Sequence, residues 1–357
     1  VTRRIDQVIP VLRGRNAVGT HTLNVQAALR SVGVESEIFY EEVDAGLEAR
    51  GQPLTALFEP APERTVLFQA AIGSPAFEVM ARIKDELFIN YHNITPSELI
   101  EPWEPEIAAV GLHRGRAQLA GLVRRCDRAL AVSRYSEREL IDLGFRRTGV
   151  APLLLDMSPG DDVDETLLDA LRSRRAQRGP SLLFVGQLAP HKAPHHLVAM
   201  LAALRALYSP DATLTLVGQP LGEAYPRALQ AYVDSLGLGD AVVMVGGLEL
   251  PQLEAHWRSA DVFVCASEHE GFCAPLVEAM GHGVPVVAFA SSAVPETIGD
   301  AGLVLERKDP VGFATAVHRV SADEALRSQL ITKGLSRAAS FDLAAATPRF
   351  LEALLSP

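Results

Sequence analysis

Short apolar runs recur along this chain with longer, helix-patterned segments between them, in two successive series. The first series is "QVIPVL", "ESEIFY", "TVLFQAAI", "LFINYH", "RALAVS" and "GVAPLLL". Segments such as "THTLNVQAALRSVG", "GRAQLAGLVRRC" and "YSERELIDLG" intervene, with apolar residues at helical spacing. The second series is "SLLFVG", "TLTLVG", "VVMVGG", "VFVCAS" and "PVVAFA", with helices at "HHLVAMLAALRALY", "YPRALQAYVDSLG" and "ELPQLEAHWRSA". Strands this apolar are buried on both faces, and strand–helix alternation places them in parallel sheets covered by helices. The expected fold is therefore α/β, with two tandem doubly wound, Rossmann-like domains. Between the series, the charged stretch 156–180 has Pro and Gly at its ends and reads as a linker carrying a short helix. The expected partition is 1–165, a linker at 166–180, and 181–340.

Composition narrows the function. A length of 357 residues suits two domains, and 48% hydrophobic residues suffice for sizeable cores. The net charge of -11 argues against a nucleic-acid or anionic-membrane footprint. The basic runs "RRCDR" and "RSRRAQR" read as solvated helix faces. Cys126, Cys265 and Cys273 form no C-x-x-C pair, which fits a reducing, cytoplasmic compartment and neither a disulfide scaffold nor a zinc ribbon. No apolar run reaches the ~18 residues of a membrane-spanning helix. The start, "VTRRIDQVIPVL", reads as a first strand rather than a signal peptide. Peripheral membrane contact and oligomeric state stay open.

In doubly wound sheets, ligands sit beyond the carboxyl ends of the strands. In "VFVCASEHEGFCAPLVEAMGHG" the strand is expected to end near Ser267, and Pro275 suits the first turn of the following helix. Backbone amides from Gly271 to Leu276, through Phe272, Cys273 and Ala274, would then suit a phosphate or sugar hydroxyl. Glu270 and Glu278 flank that turn. A carboxylate accepts two hydrogen bonds from a vicinal diol, which suits a nucleotide sugar; the plainer reading is a solvated loop residue and a favourable helix-start charge. "LLFVGQLAPHK" ends another strand near Gly186 and places Lys192 where it can reach a diphosphate. No metal site is expected. His191, His195 and His196 lack an accompanying carboxylate or cysteine pattern, and "DVD" at 162–164 reads as solvated charge in the linker.

Taken together, "VGQLAPHK", "SEHEGFCAPLVEAMGHGVPVVAF" and "PETIGDAGLV" resemble the retaining GT-B glycosyltransferases of family 4. Glu270 and Glu278 match that family's E-x7-E signature. A weaker likeness continues at "NAVGTHTLNVQAALRSVG", "AIGSP", "YHNITP" and "AVSRYSERELIDLGF". The resemblance implies an acceptor-side first domain and a donor-binding second domain facing a central cleft, with the helix of 341–357 crossing back onto the first. It implies that Glu278 binds the donor ribose, Glu270 the donor sugar, and Lys192 the diphosphate. Amides near Phe272 and Cys273 would hold sugar hydroxyls, Gly19 would face the phosphates, and His92 would lie near the reacting carbon. The family usually has arginine after the glycine matched by Gly186, and here Gln187 stands there. A neutral amide does not replace a guanidinium on a diphosphate. Either another cation compensates, with Arg15, His191 and Arg134 as the candidates, or donor binding is weak.

The expectation is a retaining hexosyltransferase acting without metal or other cofactor. Its donor would be a UDP- or GDP-sugar and its acceptor a hydroxyl of unread identity. Two rival readings are a nucleotide-sugar epimerase of the same architecture and a catalytically silent sugar-nucleotide-binding subunit. A dinucleotide-dependent oxidoreductase is weaker, because no G-x-G-x-x-G follows any strand.

Overall fold

Each strand series closes into its own parallel sheet in the computed structural model, which describes residues 3–14, 16–59, 63–177 and 179–356. The first sheet holds β1 (Arg4–Leu12), β2 (Ile38–Val43), β3 (Gln52–Pro53), β4 (Arg64–Ala70), β5 (Glu86–Tyr91), β6 (Arg128–Ala131) and β7 (Thr148–Val150). Their order is β3-β2-β1-β4-β5-β6-β7, with Val8 of β1 in register with Phe39 on one side and Phe68 on the other. The second sheet holds β8 (Ser181–Val185), β9 (Thr213–Val217), β10 (Val242–Val245), β11 (Val262–Cys265), β12 (Val286–Phe289) and β13 (Gly302–Leu305), in the order β10-β9-β8-β11-β12-β13. This is the doubly wound order in which the winding reverses beside the first strand, here between β8 and β11.

The chain divides into two units. One comprises Val1–Glu101, Pro105–Asp156 and Phe341–Pro357, the other Pro102–Glu104 and Met157–Ser340. The stretch 166–180 is not a bare connection: it is mostly the helix Glu165–Gln177, part of the second unit. Its Leu168 is buried, and the helix lies along the helix Leu250–Ser259. Asp164 caps this helix, its Oδ1 accepting from the Leu167 N–H at 2.9 Å. The run "GVAPLLL" is a strand only up to Val150, because Pro152 has no N–H to give a ladder; Leu153, Leu154 and Leu155 are buried without strand pairing.

The helix Leu343–Leu355 shows why the chain end belongs to the first unit. Ala346, Phe350 and Leu354 recur every fourth residue and are fully buried in a cluster with Ile5, Val25, Leu29, Leu67 and Leu130. Arg128 Nη1 donates to the Ala353 carbonyl at 3.1 Å, tying the helix to β6. The second unit has its own core, built on Leu182, Phe184, Leu214, Leu216, Val262 and Val264 of its central strands.

Candidate functional site

Two loops leave the carboxyl ends of β8 and β11, the neighbouring strands at which the second sheet reverses its winding. After β8, the Gly186 N–H donates to the Val217 carbonyl at 2.9 Å, and Gly218 crosses so close that a Cβ there would lie 1.9 Å from the Gly186 oxygen. Only glycine fits that crossing. Gln187 is exposed, and the chain then turns through Pro190–Lys192 before the helix Pro194–Leu207. The Glu268 N–H donates to the His191 carbonyl at 2.7 Å, clamping the two loops together. The clamp brings Lys192 Nζ to 2.7 Å from Glu270 Oε1. Ser267 Oγ donates to the same oxygen at 2.7 Å, and the Glu270 N–H donates to Ser292 Oγ at 2.6 Å.

Burial makes this pair strong. Glu270 is 6% exposed and the Lys192 side chain 21%. Burial pulls the Lys192 ammonium down, but the adjacent Glu270 carboxylate, together with Cys273 and Cys265, outweighs it and leaves Lys192 above the usual lysine range. The site therefore holds a fixed cation beside a fixed carboxylate.

Beyond Glu270 the chain passes Gly271 and Phe272, whose carbonyl accepts from Thr297 Oγ1 at 2.6 Å. Cys273 follows at a φ of 72°, in the left-handed region, and caps the helix Ala274–Gly281. The amides of Cys273 and Ala274 meet no acceptor among the described residues. Glu278 lies just past the first turn of this helix. Burial pushes its carboxyl up to about 6, and it makes no side-chain hydrogen bond among the described residues.

Of the cations considered as substitutes beside Gln187, His191 does not serve. Burial, then Lys192 and His269, hold it well below the usual histidine range, so it is neutral near pH 7. Arg134 is exposed at the start of the helix Arg134–Leu143 in the first unit, and Arg15 lies outside the described residues. Ser267, Ser292 and Lys308, which pairs with Glu268 at 2.6 Å, are members of this neighbourhood that sequence reasoning did not find. Ser267 has a visible signal, a polar residue at a strand end. Ser292 and Lys308 arrive from later loops and have none.

In the first unit, His92 follows β5 and joins a buried run of side-chain amides. Gln7 Nε2 donates to the Thr22 carbonyl at 3.0 Å, which leaves Gln7 Oε1 to accept from Gln69 Nε2 at 2.8 Å. Gln69 Oε1 then faces Asn90 Nδ2 at 3.1 Å and His92 Nε2 at 2.7 Å. Because a carbonyl can only accept, the whole run is oriented from Thr22, and His92 must carry its proton on Nε2. Burial lowers His92 to about 3, so the ring stays neutral with an Nδ1 lone pair. The run ends at His21, whose Nδ1 accepts from the Leu154 N–H at 2.9 Å and whose Nε2 lies 2.8 Å from Asn90 Nδ2. A neutral imidazole carries one N–H, so it cannot accept at both nitrogens, and one contact in the run is unmatched.

Gly19 lies in the first turn of the helix Ala17–Ser31, where a Cβ would lie 1.9 Å from the Arg13 carbonyl oxygen. Its amide donates to the Asn16 cap at 2.7 Å, so it is engaged rather than free for a phosphate. The candidate residues Gly186, Gln187, Lys192, Glu270, Gly271, Phe272, Cys273, Ala274 and Glu278 all belong to the second unit, while Gly19 and His92 belong to the first.

Residues 171–337 match the family model described as Glycosyl transferases group 1. The D-inositol 3-phosphate glycosyltransferase of Geodermatophilus obscurus is 33% identical over 242 residues, covering 62% of this chain and 51% of that protein. The GDP-mannose-dependent alpha-(1-6)-phosphatidylinositol monomannoside mannosyltransferase of Mycolicibacterium smegmatis is 32% identical over 223 residues, 58% of this chain and 56% of that protein. The chain thus spans about half the length of the curated relatives it matches. Among solved structures, Anabaena HepE in complex with UDP and glucose aligns with a TM-score of 0.77 at 19% identity, over 99% of this chain and 100% of that one. Sucrose-phosphate synthase from Thermosynechococcus elongatus aligns at 0.75 and 18%, over 99% and 98%. At these identities the structural likeness speaks for the fold alone.

Proposed function

We propose, from the match of residues 171–337 to the family model described as Glycosyl transferases group 1, that this chain is a retaining glycosyltransferase. It moves a hexosyl unit from a UDP- or GDP-sugar to an acceptor hydroxyl, without a metal. The observation that carries the reading is the buried Lys192–Glu270 pair at the point where the second sheet reverses. The likeness to proteins named as glycosyltransferases supports the same class.

In this reading Lys192 and the amides of Phe272, Cys273 and Ala274 stabilise the charge that grows on the departing diphosphate and hold the sugar hydroxyls. Glu270 orients the sugar, Glu278 takes the ribose diol, and Gly186 and Gln187 line the phosphate approach. His92 acts as a neutral hydrogen-bonding group for the sugar or acceptor, since its lowered pKa makes it a poor base. The acceptor oxygen bonds to the anomeric carbon on the face from which the diphosphate leaves. The anomeric carbon–phosphate oxygen bond breaks, and the acceptor proton passes to the departing phosphate.

Thermal shifts with a panel of nucleoside diphosphates and their sugars, without and then with metal, test this. A metal-free shift with one base is expected; no shift with any of them would refute donor binding. Glu278 gives a sharper check. Its raised pKa means that the folded state favours the protonated form, so its contribution is present below pH ~4.5 and lost as pH rises through about 6. The penalty above that range is on the order of 2 kcal/mol. Glu278→Gln is therefore expected to raise Tm by a few degrees at pH 7.5 and not at pH 4, while weakening nucleoside diphosphate binding. An equal Tm change at both pH values would count against the burial argument, and unchanged nucleotide affinity against the ribose role.

A further inference from the structure

Cys265 ends β11 and Cys273 caps the next helix, with seven residues between them. The connection folds back on itself, so that both Sγ atoms and a carboxylate oxygen of Glu270 lie within 4.8 Å of one another, all three residues buried. Tetrahedral zinc takes thiolates at ~2.3 Å and carboxylate oxygens at ~2.0–2.2 Å, which sets ligands roughly 3.3–3.8 Å apart. Closing the present trio onto an ion needs movements of about 1 Å, within the reach of side-chain rotation.

Buried cysteines often serve only as small apolar fillers. Two observations separate this pair from fillers. Cys273 sits at a φ of 72°, a conformation that costs any residue but glycine, so the backbone is strained where its thiol is presented. The third ligand, Glu270, is itself held in place, with Oε1 bonded to Lys192 and Ser267. Charge also balances: two thiolates and a carboxylate around a divalent ion leave one negative charge, which the Lys192 ammonium neutralises.

We propose that Cys265, Cys273 and Glu270 form a binding site for a thiophilic divalent cation of the zinc and cadmium class, with a fourth position open. Binding forms two metal–sulfur bonds and one metal–oxygen bond and releases two thiol protons to solvent, with no change of oxidation state. A further consequence rests on the glycosyltransferase reading: an ion here engages Glu270 and pins the turn at Cys273, so it opposes sugar-nucleotide binding instead of assisting it.

The test is a cadmium titration of the reduced, nucleotide-free full chain, followed by thiolate-to-cadmium charge-transfer absorbance and by bound metal in equilibrium dialysis. One ion per chain is expected. Cys265→Ser and Cys273→Ser should each weaken binding by more than about 100-fold, since even outer-shell losses cost 10–100-fold. Cys126→Ser, in the first unit, should bind as before. Should either serine variant fold poorly, Cys126→Ser still decides: it retains only Cys265 and Cys273 and should keep both the charge-transfer band and one bound cadmium per chain. Undiminished binding in a folded Cys265→Ser or Cys273→Ser variant, or loss of the band and of bound cadmium in Cys126→Ser, overturns the site. The readouts need no nucleotide, so failure here is distinct from failure of the donor-binding panel.

Discussion

Lys192→Ala is expected to cut sugar transfer by roughly 10²–10³-fold, the usual cost of removing one fixed electrostatic contact to charge that develops in a transition state. The same change is expected to lower stability by about 3–5 kcal/mol, because it strands the buried Glu270 carboxylate with only the Ser267 hydroxyl on its Oε1. Its burial against Glu270 makes the lysine matter for the fold as well as for transfer. The two effects are separable. Lys192→Met combined with Glu270→Gln removes both charges together, so Tm should return most of the way to wild type while transfer stays low. Transfer within about tenfold of wild type in Lys192→Ala would exclude the diphosphate role. A double variant no more stable than the single would contradict the burial argument.

Gln69→Leu should have the largest effect on stability in the first unit. Gln69 is fully buried, and its side chain meets Gln7, Asn90 and His92. Leucine would leave three buried polar groups without this partner, at about 1–3 kcal/mol each. A loss on the order of 3–9 kcal/mol is expected in denaturant unfolding, and a loss under about 1 kcal/mol would show that the run carries little. Nitrogen chemical shifts of His92 provide a second readout in the wild-type chain. The Nε2–H tautomer should persist as pH falls until about pH 3, where the ring at last charges. A His92 titrating near its ordinary 6.5 would contradict the burial of the run. The transfer reaction should accordingly show no His92 inflection between pH 5 and 8.

These two predictions draw on different amounts of sequence information. Lys192, Glu270 and Glu278 were legible because each stands at a fixed offset from a strand end, and strand ends follow from apolar runs and glycines that can be read locally. The Asn16 cap on Gly19 also has a local signature, an asparagine before a helical run. β3 and β13 are not legible in the sequence, because a two-residue strand and the run "GLVL" carry too little pattern to stand out.

The amide run from Thr22 to His21 joins residues far apart in the chain, and its proton positions follow only from which carbonyl stands at its end. Ser292 on the Glu270 amide, the neutral state of His191, and the meeting of Cys265 with Cys273 are likewise products of packing. By itself the sequence determined the alternation of strands and helices and the chemistry offered at their ends, since both rest on periodicity and turn residues within a short window. Only the tertiary structure decided which of those groups are charged, paired or strained, because desolvation and hydrogen-bond direction depend on neighbours that the chain supplies from far away.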